Sequence, residues 1–303
     1  MCDDLTESDN VQFLENLAIT NPTMNRRRFA VLGAGAATMA TVPGCLAKVA
    51  DQTPGMAVSG RAVTINTPDG VTDAWFVTPA SGRHPAVIMW PDIAGLRDAY
   101  KTMAARLAGA GYAVLVVNHY YRGARAPVLD SLVAWRTPAG QAKLKPLIQG
   151  ITPAGTMRDA TAYAVWLDHQ AEVDMTRRIG TCGFCMGGPY TVRTAAAVPG
   201  RIGAAASFHG AGLVDAAAGA DSPHILLAKT RAAFLFAIAQ NDDASAPDDK
   251  TTLKQAAAAA GRPAEIEVYP AQHGWCTIDA PIYDEAQAER AYARMIALFK
   301  ANL

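Results

Sequence analysis

The chain has 303 residues, half of them hydrophobic and 18% charged, which is too apolar for a disordered polypeptide and enough to bury a full core. Lys plus Arg equal Asp plus Glu at 27 each. That balance excludes the broad positive field used to bind nucleic acid or anionic membranes and leaves a small molecule, neutral or modestly anionic, as the expected partner. Five cysteines at irregular spacing do not make a disulfide framework, and their odd number leaves at least one thiol free in a monomer.

Residues 1–23 read as an acidic leader, with Asp3, Asp4, Glu7, Asp9 and Glu15 and no Lys or Arg. Met24, an alternative start, opens Met24-Asn-Arg-Arg-Arg-Phe29, and an apolar, small-residue run follows from Ala30 to Val42. Its length suits the h-region of an export signal and falls short of the ~20 residues that a transmembrane helix needs. Residues 24–50 therefore look like a twin-arginine signal segment, which implies a periplasmic or otherwise exported protein. The alternative is an amphipathic helix on a cytoplasmic protein. Val42-Pro-Gly-Cys45 resembles a lipoprotein cleavage box with an awkward Pro43, so Cys45 is either a lipid acceptor or, as we prefer, an ordinary residue near a cleavage site.

From residue 51 to 303 one α/β domain suffices, because short β-like runs alternate with helical stretches, the pattern of a mostly parallel sheet with helices on both faces. Arg61–Asn66 and Ala74–Thr78 read as paired strands around the turn Pro68-Asp-Gly70. Ala86–Trp90, a helix around Tyr100–Ala110 and Ala113–Val117 form a βαβ unit. Tyr121 to Gly155 lacks a clean period and is expected to be a long excursion over the carboxyl edge of the sheet. A helix at Asp159–Gln170, strand Arg178–Gly183, a helix from about Gly187 to Ala197 and strands Ala204–Phe208 and Ala233–Ala239 follow. Helix 248–260, strand Glu265–Tyr269 and an amphipathic helix from Asp284 to Ala301 close the chain.

The strongest chemical signal is Gly183-Phe-Cys185-Met-Gly187-Gly188, placed after an apolar strand and before a helix. It has the form of a nucleophile elbow with cysteine in the serine position, and the glycines two before and two after are required where a Cβ would strike neighbouring backbone. The helix starting there turns N–H groups toward the sulfur, favouring thiolate and oxyanion. A thiol nucleophile needs a base, and the base needs an acceptor that orients it. His273, in Tyr269-Pro-Ala-Gln-His-Gly-Trp275 after the last strand, is the expected base, with His209 in Ser207-Phe-His-Gly210 as alternative. Gln240-Asn-Asp-Asp243 follows the strand that should carry the acid, and register prefers Asp242 to Asp243. Cys182 and Cys185 also spell C-x-x-C, a rival redox or metal signature, but Cys182 belongs to the strand and reads as a core residue.

Gly-Phe-Cys-Met-Gly-Gly at 183–188, Asn-Asp-Asp at 241–243, His-Gly-Trp at 273–275 and Pro-Asp-Ile-Ala-Gly at 91–95 together resemble the dienelactone hydrolase family, over roughly residues 60–300. The resemblance implies an α/β-hydrolase fold with about eight strands, hydrolysis of a lactone or ester through a thioester, and neither metal nor organic cofactor. It places the oxyanion amides at Met186 and Ile93. It sets Asp92 where the family has a glutamate that can interact with the resting thiol, one methylene shorter here. It matches Arg122, in His119-Tyr-Tyr-Arg122, to an arginine that binds a substrate carboxylate, while Thr277 stands where a second such arginine is often found. Two rivals accompany it: a binding protein that kept the fold and lost turnover, and a redox-active thiol protein.

Overall fold

The computed structural model describes residues 55–303; the acidic leader, the twin-arginine-like segment and Cys45 lie outside the described residues. Strands β1 (Val58–Thr67) and β2 (Gly70–Pro79) form an antiparallel hairpin, and β2 pairs antiparallel with β4 (Ala113–Val117). The rest of the sheet is parallel: β3 (Ala86–Trp90), β5 (Ile179–Phe184), β6 (Ile202–Phe208), β7 (Ala233–Ala239) and β8 (Ala264–Tyr269), in the order β1-β2-β4-β3-β5-β6-β7-β8.

That order positions the site. From β3 the chain crosses to β4 on one side through α1 (Asp98–Gly109), then returns to lay β5 on the other side of β3. The loops leaving β3 and β5 therefore diverge and open a crevice at the carboxyl edge, the place where parallel α/β sheets bind ligands.

Both faces of the sheet are covered, so the central strands are continuous apolar runs. In β3, Ile88 and Trp90 pack on one face with Tyr163 and Leu167 of α4 (Pro153–Asp168), Val192 of α5 (Gly188–Ala197) and Leu253 of α8 (Asp249–Ala259). Val87 and Met89 pack on the other with Leu107 of α1 and Met295 and Phe299 of α9 (Glu285–Asn302). Two short helices, α6 (Pro223–Leu226) and α7 (Gln240–Ser245), flank β7. Gly180 in β5 makes room for the last helix, because a Cβ there would lie 3.1 Å from the Phe299 ring.

The expected excursion after β4 is more regular than its sequence suggests. It contains α2 (Leu132–Trp135) and the 12-residue α3 (Pro138–Gln149), and α4 begins at Pro153, ahead of the expected Asp159. Both longer helices start on the same cap. The hydroxyls of Thr137 and Thr152 each accept the N–H of the glycine three residues on, at 3.0 Å, with proline at the first helical position, satisfying otherwise unpaired amides.

Phe299 is fully buried and meets Tyr112 edge-on at 5.7 Å. Phe299→Ala should cost about 3–5 kcal/mol, the usual cost of an aromatic cavity, read as a lower urea midpoint at unchanged slope. A loss below about 1 kcal/mol would show that α9 is not held by this contact.

Candidate active site

Strand β5 ends at Phe184, and the chain turns at once through a 3₁₀ turn, Cys185–Gly187, into α5. Cys185 has φ of +53°, a strained conformation for a side-chain-bearing residue and characteristic of a nucleophile elbow. The glycines are there for steric reasons. A Cβ on Gly183 would lie 2.1 Å from the Gly187 carbonyl oxygen, and one on Gly187 would lie 2.4 and 2.6 Å from the carbonyl oxygens of Trp90 and Pro91.

His273 reaches this turn from the loop after β8. Its Nδ1 lies 2.8 and 3.0 Å from the two carboxylate oxygens of Asp242, and its backbone N–H donates to Asn241 Oδ1 at 2.8 Å. The carboxylate holds the ring proton on Nδ1 and leaves the other nitrogen for Cys185, whose sulfur lies close enough to act on the imidazole charge. Burial pushes the imidazole pKa down, but the charge of the Cys185 sulfur and then the Asp242 carboxylate more than offset it, leaving the pKa well above its usual value. Asp243, the other register, is engaged elsewhere, with Lys250 Nζ at 2.7 and 2.8 Å.

His209, the alternative base, takes a different place. Its ring stands 4.9 Å from that of His273 and 5.1 Å from Trp275, and its Nδ1 accepts the backbone N–H of Cys185 at 3.1 Å. Burial, then the neighbouring His273, hold its pKa well below the usual value, so it stays neutral and can keep accepting that amide. Cys182 is fully buried, its thiol pKa raised by burial. It packs toward α1 and α9, whereas Cys185 packs against the opposite face, so the C-x-x-C spacing does not bring the two sulfurs together. Neither is in a disulfide.

The amides expected to receive an oxyanion lie on two segments tied by one phenol. Tyr120 Oη donates to the Ile93 carbonyl at 2.8 Å and lies 3.3 Å from Met186 Sδ. Around Ile93, the Asp92 N–H donates to Tyr100 Oη at 2.9 Å, the Ala94 N–H to Asp92 Oδ1 at 2.9 Å, and the Gly95 N–H to the Asp92 carbonyl at 2.9 Å.

Two expectations need correction. The Asp92 carboxylate does not reach the thiol: it is buried in an ion pair, with Oδ1 2.7 Å and Oδ2 2.9 Å from the Arg97 guanidinium. One methylene shorter than glutamate, it closes on its own loop. Nor is Arg122 offered to a ligand. Its fork is filled by Asp159 at 2.8 Å through both terminal nitrogens and by Asp69 at 2.6 Å, tying the β1–β2 turn to α4. Hydrogen bonds from Arg158 and then Arg122 hold the Asp69 carboxyl down at about 2.

Sequence reasoning missed Arg97, Tyr120 and the position of His209. For Arg97 a signal existed, since an arginine five residues after a buried aspartate in an otherwise apolar loop invites pairing. Nothing in the sequence pointed to the Cys185 amide as the partner of His209.

Comparison with known proteins shows the family and the fold. The profile of the dienelactone hydrolase family matches residues 72–303. A protein of Salmonella typhi named as a candidate carboxymethylenebutenolidase is 27% identical over 264 residues, covering 84% of this chain and 92% of its own. The crystal structure of a candidate dienelactone hydrolase from Klebsiella pneumoniae superposes with a TM-score of 0.69 at 25% identity, covering 80% of this chain and 99% of that one. An acylaminoacyl peptidase from Pyrococcus horikoshii, 15% identical, shares the α/β-hydrolase fold at a TM-score of 0.58 over 81% of this chain and 42% of its own.

The geometry of Arg122 makes it a structural tie. Arg122→Ala strands the buried Asp159 without its cation and should destabilise the fold by about 3 kcal/mol. KM for a carboxylate-bearing ester and for its neutral analogue should change by the same factor. A loss confined to the carboxylate substrate would restore the recognition role.

Proposed function

Because the chain belongs to the dienelactone hydrolase family, whose members hydrolyse lactones and esters, we propose that it cleaves its substrate with Cys185 as nucleophile, His273 as base and Asp242 as the group that orients the base. The observation that carries the reading is the pairing of the His273 ring with the Asp242 carboxylate, within electrostatic reach of Cys185, on a turn whose φ presents the sulfur above the sheet edge.

In this mechanism His273 takes the proton from Cys185 and the thiolate attacks the carbonyl carbon, forming a C–S bond while the carbonyl electrons move onto oxygen. The N–H groups of Met186 and Ile93 receive that oxyanion. As the intermediate collapses, the alkoxide leaves with the proton from His273 and a thioester remains; in a lactone the alkoxide stays attached as the hydroxyl of the opened acid. Water, deprotonated by His273, then attacks the thioester, and the acid departs as Cys185 regains its proton. Asp242 keeps the imidazole in the tautomer that both halves require and stabilises it when charged.

A panel of lactones and short acyl esters tests this. Cys185→Ala should lower kcat by several powers of ten, whereas Cys182→Ala, which trims a buried thiol on the other face, should retain most activity at a packing cost of about 1–2 kcal/mol. Equal losses in the two variants would remove Cys185 from its role. The acid is tested separately: Asp242→Asn should depress kcat by at least about 100-fold with the fold intact, and Asp243→Asn, which releases only Lys250, should stay within about threefold. The reverse order of severity would transfer the role to Asp243.

A further inference from the structure

Arg97 is a buried and heavily bonded side chain, and the proposed chemical steps do not use it. Its side chain is 1% exposed. One terminal nitrogen donates to Asp92 Oδ1 at 2.7 Å and to the Gly95 carbonyl at 3.1 Å, and the other to Asp92 Oδ2 at 2.9 Å. The same guanidinium donates through Nε and a terminal nitrogen to both oxygens of Asp279, each at 2.7 Å. Asp279 lies on the segment that follows His273 and also accepts the N–H of Leu132 at the start of α2.

The geometry points to Arg97 as a positioning residue for the oxyanion amide of Ile93. The Asp92 carbonyl and the Ile93 N–H belong to one planar peptide unit. The Gly95 N–H bonds that carbonyl, so fixing the turn from 92 to 95 fixes the direction in which the Ile93 N–H points. Arg97 grips both ends of this turn, through the Asp92 side chain and the Gly95 carbonyl, and its bond to Asp279 pins the turn to the segment that follows His273. The inference rests on the proposed role of Ile93 as an oxyanion donor. It goes beyond that role in saying what keeps the donor aimed.

The base has anchors of its own. Asp242 and the Asn241 side chain hold His273 through the ring and the backbone N–H. Nucleophile activation and oxyanion stabilisation are therefore separable, and two measurements on one variant distinguish them. Arg97→Lys keeps a charge but replaces the fork with a single ammonium that cannot hold Asp92, Gly95 and Asp279 together. Its kcat for a good ester should fall about 10- to 100-fold, the scale of a misaimed oxyanion donor, with KM within about threefold. The rate at which iodoacetamide alkylates Cys185 needs the Cys185–His273 pair and no oxyanion hole, and should stay within about threefold of wild type.

A kcat within about twofold of wild type would overturn the inference, and so would a fall in kcat matched by an equal fall in alkylation rate, which marks general loosening. If Arg97→Lys does not fold, Asp279→Asn serves, since its side chain is 25% exposed and only one arm of the clamp is weakened. A kcat loss of about 3- to 10-fold at unchanged alkylation is then expected, and unchanged kcat overturns the proposal. Failure of the proposed mechanism that gives Ile93 its role would show elsewhere, as full hydrolysis by Cys185→Ala, which leaves no thioester chemistry for an oxyanion donor to serve.

Discussion

The site depends on how closely the end of β3 and the turn after β5 approach each other. The carbonyl oxygens of Trp90 and Pro91 occupy the space a side chain on Gly187 would need, so the two segments meet backbone to backbone at their start, before the loops part. That contact brings Ile93, just past β3, alongside Met186, just past Cys185, and it sits where the sheet order reverses direction around β3. The strained φ at Cys185 belongs to the same constraint. A turn this tight lifts the sulfur clear of the sheet, and packing of Gly183 against the Gly187 carbonyl keeps it from relaxing.

Around that contact, charge is used to fasten loops. Arg97 joins Asp92 to Asp279, Arg122 joins Asp69 to Asp159, and Lys250 holds Asp243. Each pair links segments that the sheet does not hydrogen-bond directly. Burying such pairs adds little net stability, because desolvation offsets much of the attraction. Their effect is on geometry, since a two-carboxylate grip on a guanidinium tolerates few arrangements. His209 contributes geometry without charge, as a neutral ring that accepts the Cys185 amide and abuts the His273 ring.

Much of this was legible before folding. Unbroken apolar runs such as Ala86–Trp90, Ala113–Val117 and Ala233–Ala239 can only be central strands, and the elbow declares itself because its glycines answer a local steric demand. Register prefers Asp242 to Asp243, and in the structure Asp242 meets His273 while Asp243 pairs with Lys250. What stayed hidden was set by distance along the chain or by an overlooked cap. Arg122 reads as a free cation until the fold delivers Asp69 and Asp159 to it. Helices α3 and α4 announce themselves in two identical Thr-Pro-Ala-Gly segments, at 137–140 and 152–155, whose capping meaning is obscured by the Pro and Gly that otherwise suggest a loop.

The sheet itself determines how the protein meets oxidants. Cys185 lies on one face, and Cys182 and Cys276 are buried on the other. A sulfenate formed on Cys185 by peroxide therefore finds, among the described residues, no thiol within its own fold with which to condense. Among the described cysteines none can protect it from irreversible over-oxidation, so a thiol from outside this domain has to do so. The sheet that separates Cys182 from Cys185 thus also denies Cys185 a resolving thiol among the described residues, and reductants outside this domain set how long its thiol survives oxidation.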